Sequence, residues 1–202
     1  IAEHVPAAPA DSTGHWVHFM SVDDVDRALR AALAAGGEAL LGVTPLPDRG
    51  TVAITRGLDG EVLGLIDTAG RDPADHRATE GGWMWRELLT DRVDASAALI
   101  RELCGCEVAP GQADATRVFV SSAGFLRGAV SPLPRDADQA IWLGFVRVAG
   151  LDGHLARAER LGGEVLVAPD ASLADGKLAV VKDPTGGVFG MLAWTYEPES
   201  GR

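Results

Sequence analysis

The sequence predicts an α+β fold built from repeated βαβββ units whose curved mixed sheets pair into a cup. Three observations predict it. Residues 16–67 and 142–193 align without a gap at a constant offset of 126 residues. Trp16/Trp142, Phe19/Phe145, Asp26/Asp152, Gly36-Gly37/Gly162-Gly163, Gly60/Gly186 and Gly64/Gly190 all coincide. Within each copy, one stretch with helical spacing of apolar residues is followed by short strand-like runs. Glycine-containing turns separate those runs.

The elements follow in order. Ile1–Gly14 is rich in Ala and Pro and reads as a lead-in loop. Trp16–Ser21 is a strand with large apolar residues on both faces. Asp23, Asp24 and Asp26 supply carboxylates for the first turn of a helix, where they oppose the macrodipole; this explains the acidic cluster without a cation. Val25, Leu29, Ala32 and Leu33 keep helical spacing, and Gly36-Gly37 ends the helix. Glu38–Leu41, Thr51–Arg56 and Val62–Ile66 are three short strands, with Pro45–Asp48 as a loop and Leu58-Asp59-Gly60 as a tight turn. The polar stretch 68–82 is a linker.

The unit then recurs with different letters. Trp83–Leu89 is a strand, Asp94–Cys104 a helix on Ala97, Ile100 and Leu103, and Glu107-Val108, Arg117–Ser121 and Leu126–Ser131 are strands. The third unit occupies 142–194. Gly57–Gly60 and Gly186-Gly187 are hairpin turns and not phosphate loops, because a strand follows each and no Gly-Lys-Ser/Thr is present.

The bulk numbers exclude several classes. A chain of 202 residues, 47% hydrophobic, can bury a core. A net charge of −11 argues against nucleic acid, whose phosphates need a basic face. No apolar run approaches the roughly 20 residues of a membrane span. The first residues show no signal peptide, so a cytoplasmic location is expected. The start lacks Met, which leads us to expect a processed or trimmed product. Cys104 and Cys106 are the only cysteines; they make neither a disulfide framework nor a zinc site, and read as small buried residues where a helix meets a strand. Richness in Ala, Gly, Arg and Asp, with two lysines, suits a high-GC bacterium.

Four features together carry a resemblance. They are Trp85-Arg-Glu87-Leu-Leu-Thr90 before a helix, Trp-x-x-Phe-x-x-Val with Asp26 or Asp152 beyond it, the pairs Gly36-Gly37 and Gly162-Gly163, and Asp183-Pro184-Thr185-Gly186-Gly187-Val188-Phe189-Gly190. With them the chain resembles the vicinal oxygen chelate superfamily (the glyoxalase, bleomycin resistance and extradiol dioxygenase group), and most closely its tandem glyoxalase-like branch. The resemblance implies that two units pair into a cup that holds a ligand. Four units are usual in that branch and three are found here. The expected division is therefore 1–67 as a lead-in and a single unit, 68–82 as linker, and 83–196 as a complete domain. The first unit would find its partner in a missing segment or in a second copy of the chain, giving a homodimer.

Metal-binding members place His, Gln or Glu on the first strand and Glu on the last strand of each unit, where their lone pairs converge on one cation. The matching positions here are Val17, Trp85 and Leu143, with Gly64 and Gly190. None can ligate through its side chain. Of the histidines, only His18 lies in a core strand. No metal or other cofactor is expected.

Chemistry without a metal points to Trp83–Leu89. If Trp85 faces the cup, alternation places Glu87 and Leu89 on the same face. A carboxyl beside an indole in an apolar cavity suits acid/base work, which makes Glu87 the candidate catalytic residue. The alternative is that Glu87 faces out or pairs with Arg86, Arg117 or Arg127. Val17 and Phe19, with Leu143 and Phe145, are the equivalent inward positions; with Trp85 and Leu89 they form an apolar ligand-binding lining or plain core.

The reading that follows is a metal-independent small-molecule binder of the bleomycin resistance type, holding a hydrophobic or aromatic metabolite or antibiotic. One alternative is a metal-independent enzyme (isomerase, lyase, hydrolase or hydroxylase-like) using Glu87. Others are a metal-dependent glyoxalase or dioxygenase, and a scaffold. Neither nucleic acid nor membrane is an expected partner.

Overall fold

The computed structural model describes residues 14–70, 72, 74–112, 114–135 and 137–196. Their order is three βαβββ units. The first is β1 (His18–Ser21), α1 (Val25–Ala34), β2 (Glu38–Leu46), β3 (Gly50–Arg56) and β4 (Val62–Thr68). The second is β5 (Trp83–Thr90), α2 (Val93–Cys104), β6 (Glu107–Pro110), β7 (Val118–Ser122) and β8 (Phe125–Pro132). The third is β9 (Ile141–Val148), α3 (Asp152–Arg160), β10 (Glu164–Val167), β11 (Leu178–Lys182) and β12 (Val188–Ala193).

Every repeat is wired alike. Its first strand runs parallel to its last, and the other pairings are antiparallel. The parallel registers set Phe19 opposite Gly64, Glu87 opposite Ala129 and Phe145 opposite Gly190. Two helix ends follow from the residues that stand there. Asp24 caps α1, its Oδ1 accepting the Arg27 N–H at 2.9 Å, and Gly105 closes α2 in the left-handed region at φ 64°.

Two local expectations shift. Trp16 and Val17 precede β1 and are not part of it. Pro45 and Leu46, expected in a loop, lie in β2. The reason is position: β2 is the outer strand of the order β1–β4–β3–β2, and an edge strand tolerates a residue that cannot donate to the ladder. Its register on β3 shifts twice, between Ala39 and Leu41 and between Leu41 and Thr44, and Leu40, Leu41 and Val43 stay exposed.

The structure also draws the domain boundary elsewhere. One compact unit comprises 17–78 with 83–144, and the other comprises 14–16, 79–82 and 145–196. Residues 16–67 were expected to stand apart from 83–196. They group with the second repeat because α1 and its strands share one core with it: Val25, Ala28 and Leu29 belong to the same buried cluster as Leu88, Ile100, Leu103 and Val130. Such a core resists division. Stretch 68–82 is likewise shared out, its last four residues going to the second unit. That unit has its own smaller core of Val148, Leu151, Ala179, Val181 and Met191.

Candidate functional site

Alternation along β5 does bring Trp85 and Glu87 to one face. The Trp85 indole Nε1 donates to Glu87 Oε2 at 3.0 Å. Two more groups complete the site: Arg117, one of the arginines weighed as a partner of Glu87, and Ser131, which the sequence did not suggest. Arg117, just before β7, donates from Nη2 to the same oxygen at 2.6 Å, and Ser131 on β8 donates to Oε1 at 2.5 Å. The Glu87 side chain is 13% exposed and that of Arg117 34%. The guanidinium carbon stands 5.0 Å from the centre of the Phe119 ring and 5.7 Å from that of Trp85, which meet edge to face. The pairing with Arg117, one of three arginines weighed as alternatives, therefore forms. Both carboxylate oxygens of Glu87 are engaged, so the group is held in one orientation. Leu89 lies in register with Ser131 and is half-buried.

The other expected lining residues are dispersed. Leu143 and Phe145 are each 5% exposed and act as core. Val17 lies just ahead of β1. Phe19 is 41% exposed and borders a cavity of about 510 Å³ in the first compact unit.

That cavity also has His18, Arg86, Arg127, Val120 and Trp142 in its wall. His18 lies edge-on to Trp83, with ring centres 5.9 Å apart. Burial first, and the nearby Arg86 charge second, lower its pKa from 6.5 to about 4. The ring bonds to the Trp142 backbone, while Nε2 is enclosed against Gly144 with no hydrogen-bond partner among the described residues. Arg86 projects over Trp83 at 5.7 Å and donates from Nη1 to the Trp85 carbonyl at 3.3 Å. Burial lowers its pKa. No carboxylate pairs with it among the described residues. Neither His18 nor Arg86 entered the sequence-derived site; a histidine and an arginine on neighbouring apolar strands carry no spacing signal that would join them.

Cys104 and Cys106 line the same cavity, and here the structure corrects the reading of two separate small residues. They form a disulfide, with Cα atoms 5.3 Å apart across the left-handed turn at Gly105.

The positions at which the resemblance would place a metal can be tested directly. A Cβ built on Gly64 would lie 2.5 Å from the Phe19 ring, and one on Gly190 would collide with the Phe145 ring. In both repeats an aromatic ring covers the glycine where a carboxylate would project. Trp85 and Leu143 offer no lone pair suited to a hard cation. Among the described residues no three His, Cys, Asp or Glu side chains converge as a metal-binding group. These residues do not fit the superfamily's metal.

Comparison with known proteins agrees with the architecture. No family model matches the chain. Two curated proteins, both called "Putative glyoxylase CFP32", from Mycobacterium bovis and Mycobacterium tuberculosis, are each 28% identical over 197 residues, covering 95% of this chain and 74% of their own length. Glyoxalase I from Zea mays has a similar structure, with a TM-score of 0.57 and 19% identity over 88% of this chain and 66% of its own. The Mn(II)-bound glyoxalase from Novosphingobium aromaticivorans gives 0.51 and 18%, with 86% and 60% covered. The 2,3-dioxygenase LapB from Pseudomonas sp. KL28 gives 0.51 and 11%, with 87% and 69% covered. The chain thus spans 60% and 66% of the two glyoxalase structures. It has the fold of these glyoxalases and dioxygenases, and the comparisons support the vicinal oxygen chelate superfamily. No helix among the described residues is long and apolar enough to cross a membrane.

Proposed function

We infer that the chain is a metal-independent small-molecule-binding protein on the glyoxalase scaffold, and that it holds a hydrophobic or aromatic compound. The observation that carries this is the pair of phenylalanine rings over Gly64 and Gly190. They put apolar surface at two of the positions where the resemblance would place metal ligands. The cavity beside Phe19 supplies room, at about 510 Å³, within the usual range for small-molecule sites. The test has two parts. Protein exposed to Mn²⁺, Fe²⁺, Ni²⁺ or Zn²⁺ and dialysed should retain well under one ion per chain; one tightly held ion per chain would overturn the reading. A hydrophobic compound captured by the purified protein from a metabolite extract should bind saturably and be recovered unchanged.

A second reading is a metal-independent enzyme in which Glu87, oriented by Trp85, Arg117 and Ser131, transfers a proton, although its ion pair with Arg117 is the arrangement weighed against that role. Arg117 would share the charge of any anion formed beside it. Glu87→Gln should then abolish turnover of the captured compound and leave its binding intact. Unchanged turnover removes Glu87 from the chemistry.

A further inference from the structure

One covalent bond in the first compact unit contributes little to holding the fold and borders the cavity. We propose that the Cys104–Cys106 disulfide is a redox-active pair, which small thiols entering the cavity reduce and small disulfides re-form. The inference goes beyond the small-molecule reading and shares with it only the cavity.

The bond is poorly placed to be a staple. It joins residues only 2 apart in the chain, and a cross-link stabilises a fold less the shorter the loop it closes. Both of its flanks are held without it. Helix α2 anchors Ala97, Ile100 and Leu103 in the core, and the Gly105 N–H closes its end by donating to the Arg101 carbonyl at 2.9 Å. Beyond the turn, β6 is in register with β7, from Glu107 opposite Ser121 to Pro110 opposite Val118. Opening the bond therefore leaves helix and strand in place.

Access and the reduced state are both provided for. The two cysteines are half-buried, Gly105 between them is exposed, and both cysteines stand in the wall of the cavity of about 510 Å³. A disulfide is the electrophile in exchange, so what it needs is a thiolate able to reach a sulfur. A cavity of this size admits a thiol of metabolite dimensions and not the surface of another protein. Cys104 Sγ lies 3.1 Å from the Ile100 carbonyl oxygen. In the disulfide that sulfur has no proton to give, and as a thiol it donates there. The left-handed turn at Gly105 keeps the Cα atoms 5.3 Å apart, a separation from which the bond can re-form.

The exchange balances in two steps. An incoming thiolate attacks one cysteine sulfur, the S–S bond breaks, and the other cysteine leaves as a thiolate that takes up a proton. A second thiolate attacks the external sulfur of the mixed disulfide and frees the first cysteine, which is protonated in turn. Two small thiols are oxidised to one disulfide, and the cysteine pair gains the two electrons and two protons.

The test treats the folded full chain with millimolar reduced glutathione, alkylates the free thiols and counts them by mass, while circular dichroism follows the fold. Both cysteines should become alkylated without loss of the native spectrum, and glutathione disulfide should return the count to zero. Reduced thioredoxin, whose dithiol is carried on a protein, should react more slowly at equal thiol concentration. A double variant, Cys104→Ser with Cys106→Ser, should melt within a few degrees of the parent. A bond that resists glutathione until denaturant is added makes the disulfide a structural staple and overturns the proposal. So does a fold lost on reduction, or a double variant that melts far lower. Thioredoxin reacting faster than glutathione overturns the assignment of small thiols as its partners.

Discussion

Glu87 shows how far one strand can be read and where reading stops. Alternation along β5 placed Trp85 beside Glu87, a separation of two residues. Arg117 and Ser131 reach the same carboxylate from 30 and 44 residues away, and only the folded sheet brings them there. Glu87→Ala should cost about 1–3 kcal/mol in chemical denaturation, because Arg117 and Ser131 lose a charged partner in a mostly enclosed place. His18 makes a pH prediction. Its folded pKa of about 4 lies below its ordinary 6.5, so the folded state binds fewer protons between them. The stability it contributes is whole above pH 6.5 and drains away as pH falls towards 4. The melting temperature should drop across that window, and His18→Gln should flatten the drop. Glu61 has the opposite sign. Burial raises its pKa above the ordinary 4.5, so its contribution is present in acid and lost as pH rises past that value. Glu61→Gln should therefore match the parent near pH 4 and melt higher at pH 7.

At the scale of the element, the parallel pairing of first and last strands decides what each repeat can hold. Gly64 and Gly190 were legible as repeat-conserved positions that lack ligands. That Phe19 and Phe145 lie directly over them was not, since the sequence does not disclose register. The two sites should respond differently to one methyl group. Phe145 is 5% exposed and has nowhere to swing, whereas Phe19 is 41% exposed and can turn away. Gly190→Ala should cost about 1–3 kcal/mol by overpacking, and Gly64→Ala clearly less. Equal melting shifts would mean that the rings are not held as described. The acidic start of α1 was read correctly as helix-terminal. Asp24→Ala should lose about 1 kcal/mol, as removal of an N-cap does.

Across the whole molecule, the constant 126-residue offset disclosed two similar units and the pattern of elements between them a third, but not how the three share cores. Which repeat is buried with which depends on α1 and its strands meeting the second repeat in one cluster, a matter of side-chain fit between distant segments. The difference in core size has a dynamic consequence. Amides of β11 and β12, over the smaller cluster of the second unit, should exchange with solvent faster than those of β3 and β4 in the first. Equal protection would argue that the cores are of equal strength. The outer strand of the first repeat adds something of another kind. β2 exposes Leu40, Leu41 and Val43 on the outer strand of its sheet, the composition of an aggregation seed. Its two register shifts and Pro45 break the edge into pieces too short and too crooked to template a neighbouring chain. The irregularity of β2 thus works as a solubility device: a β2 straightened by loss of Gly42 would present the same three side chains as an adhesive ladder.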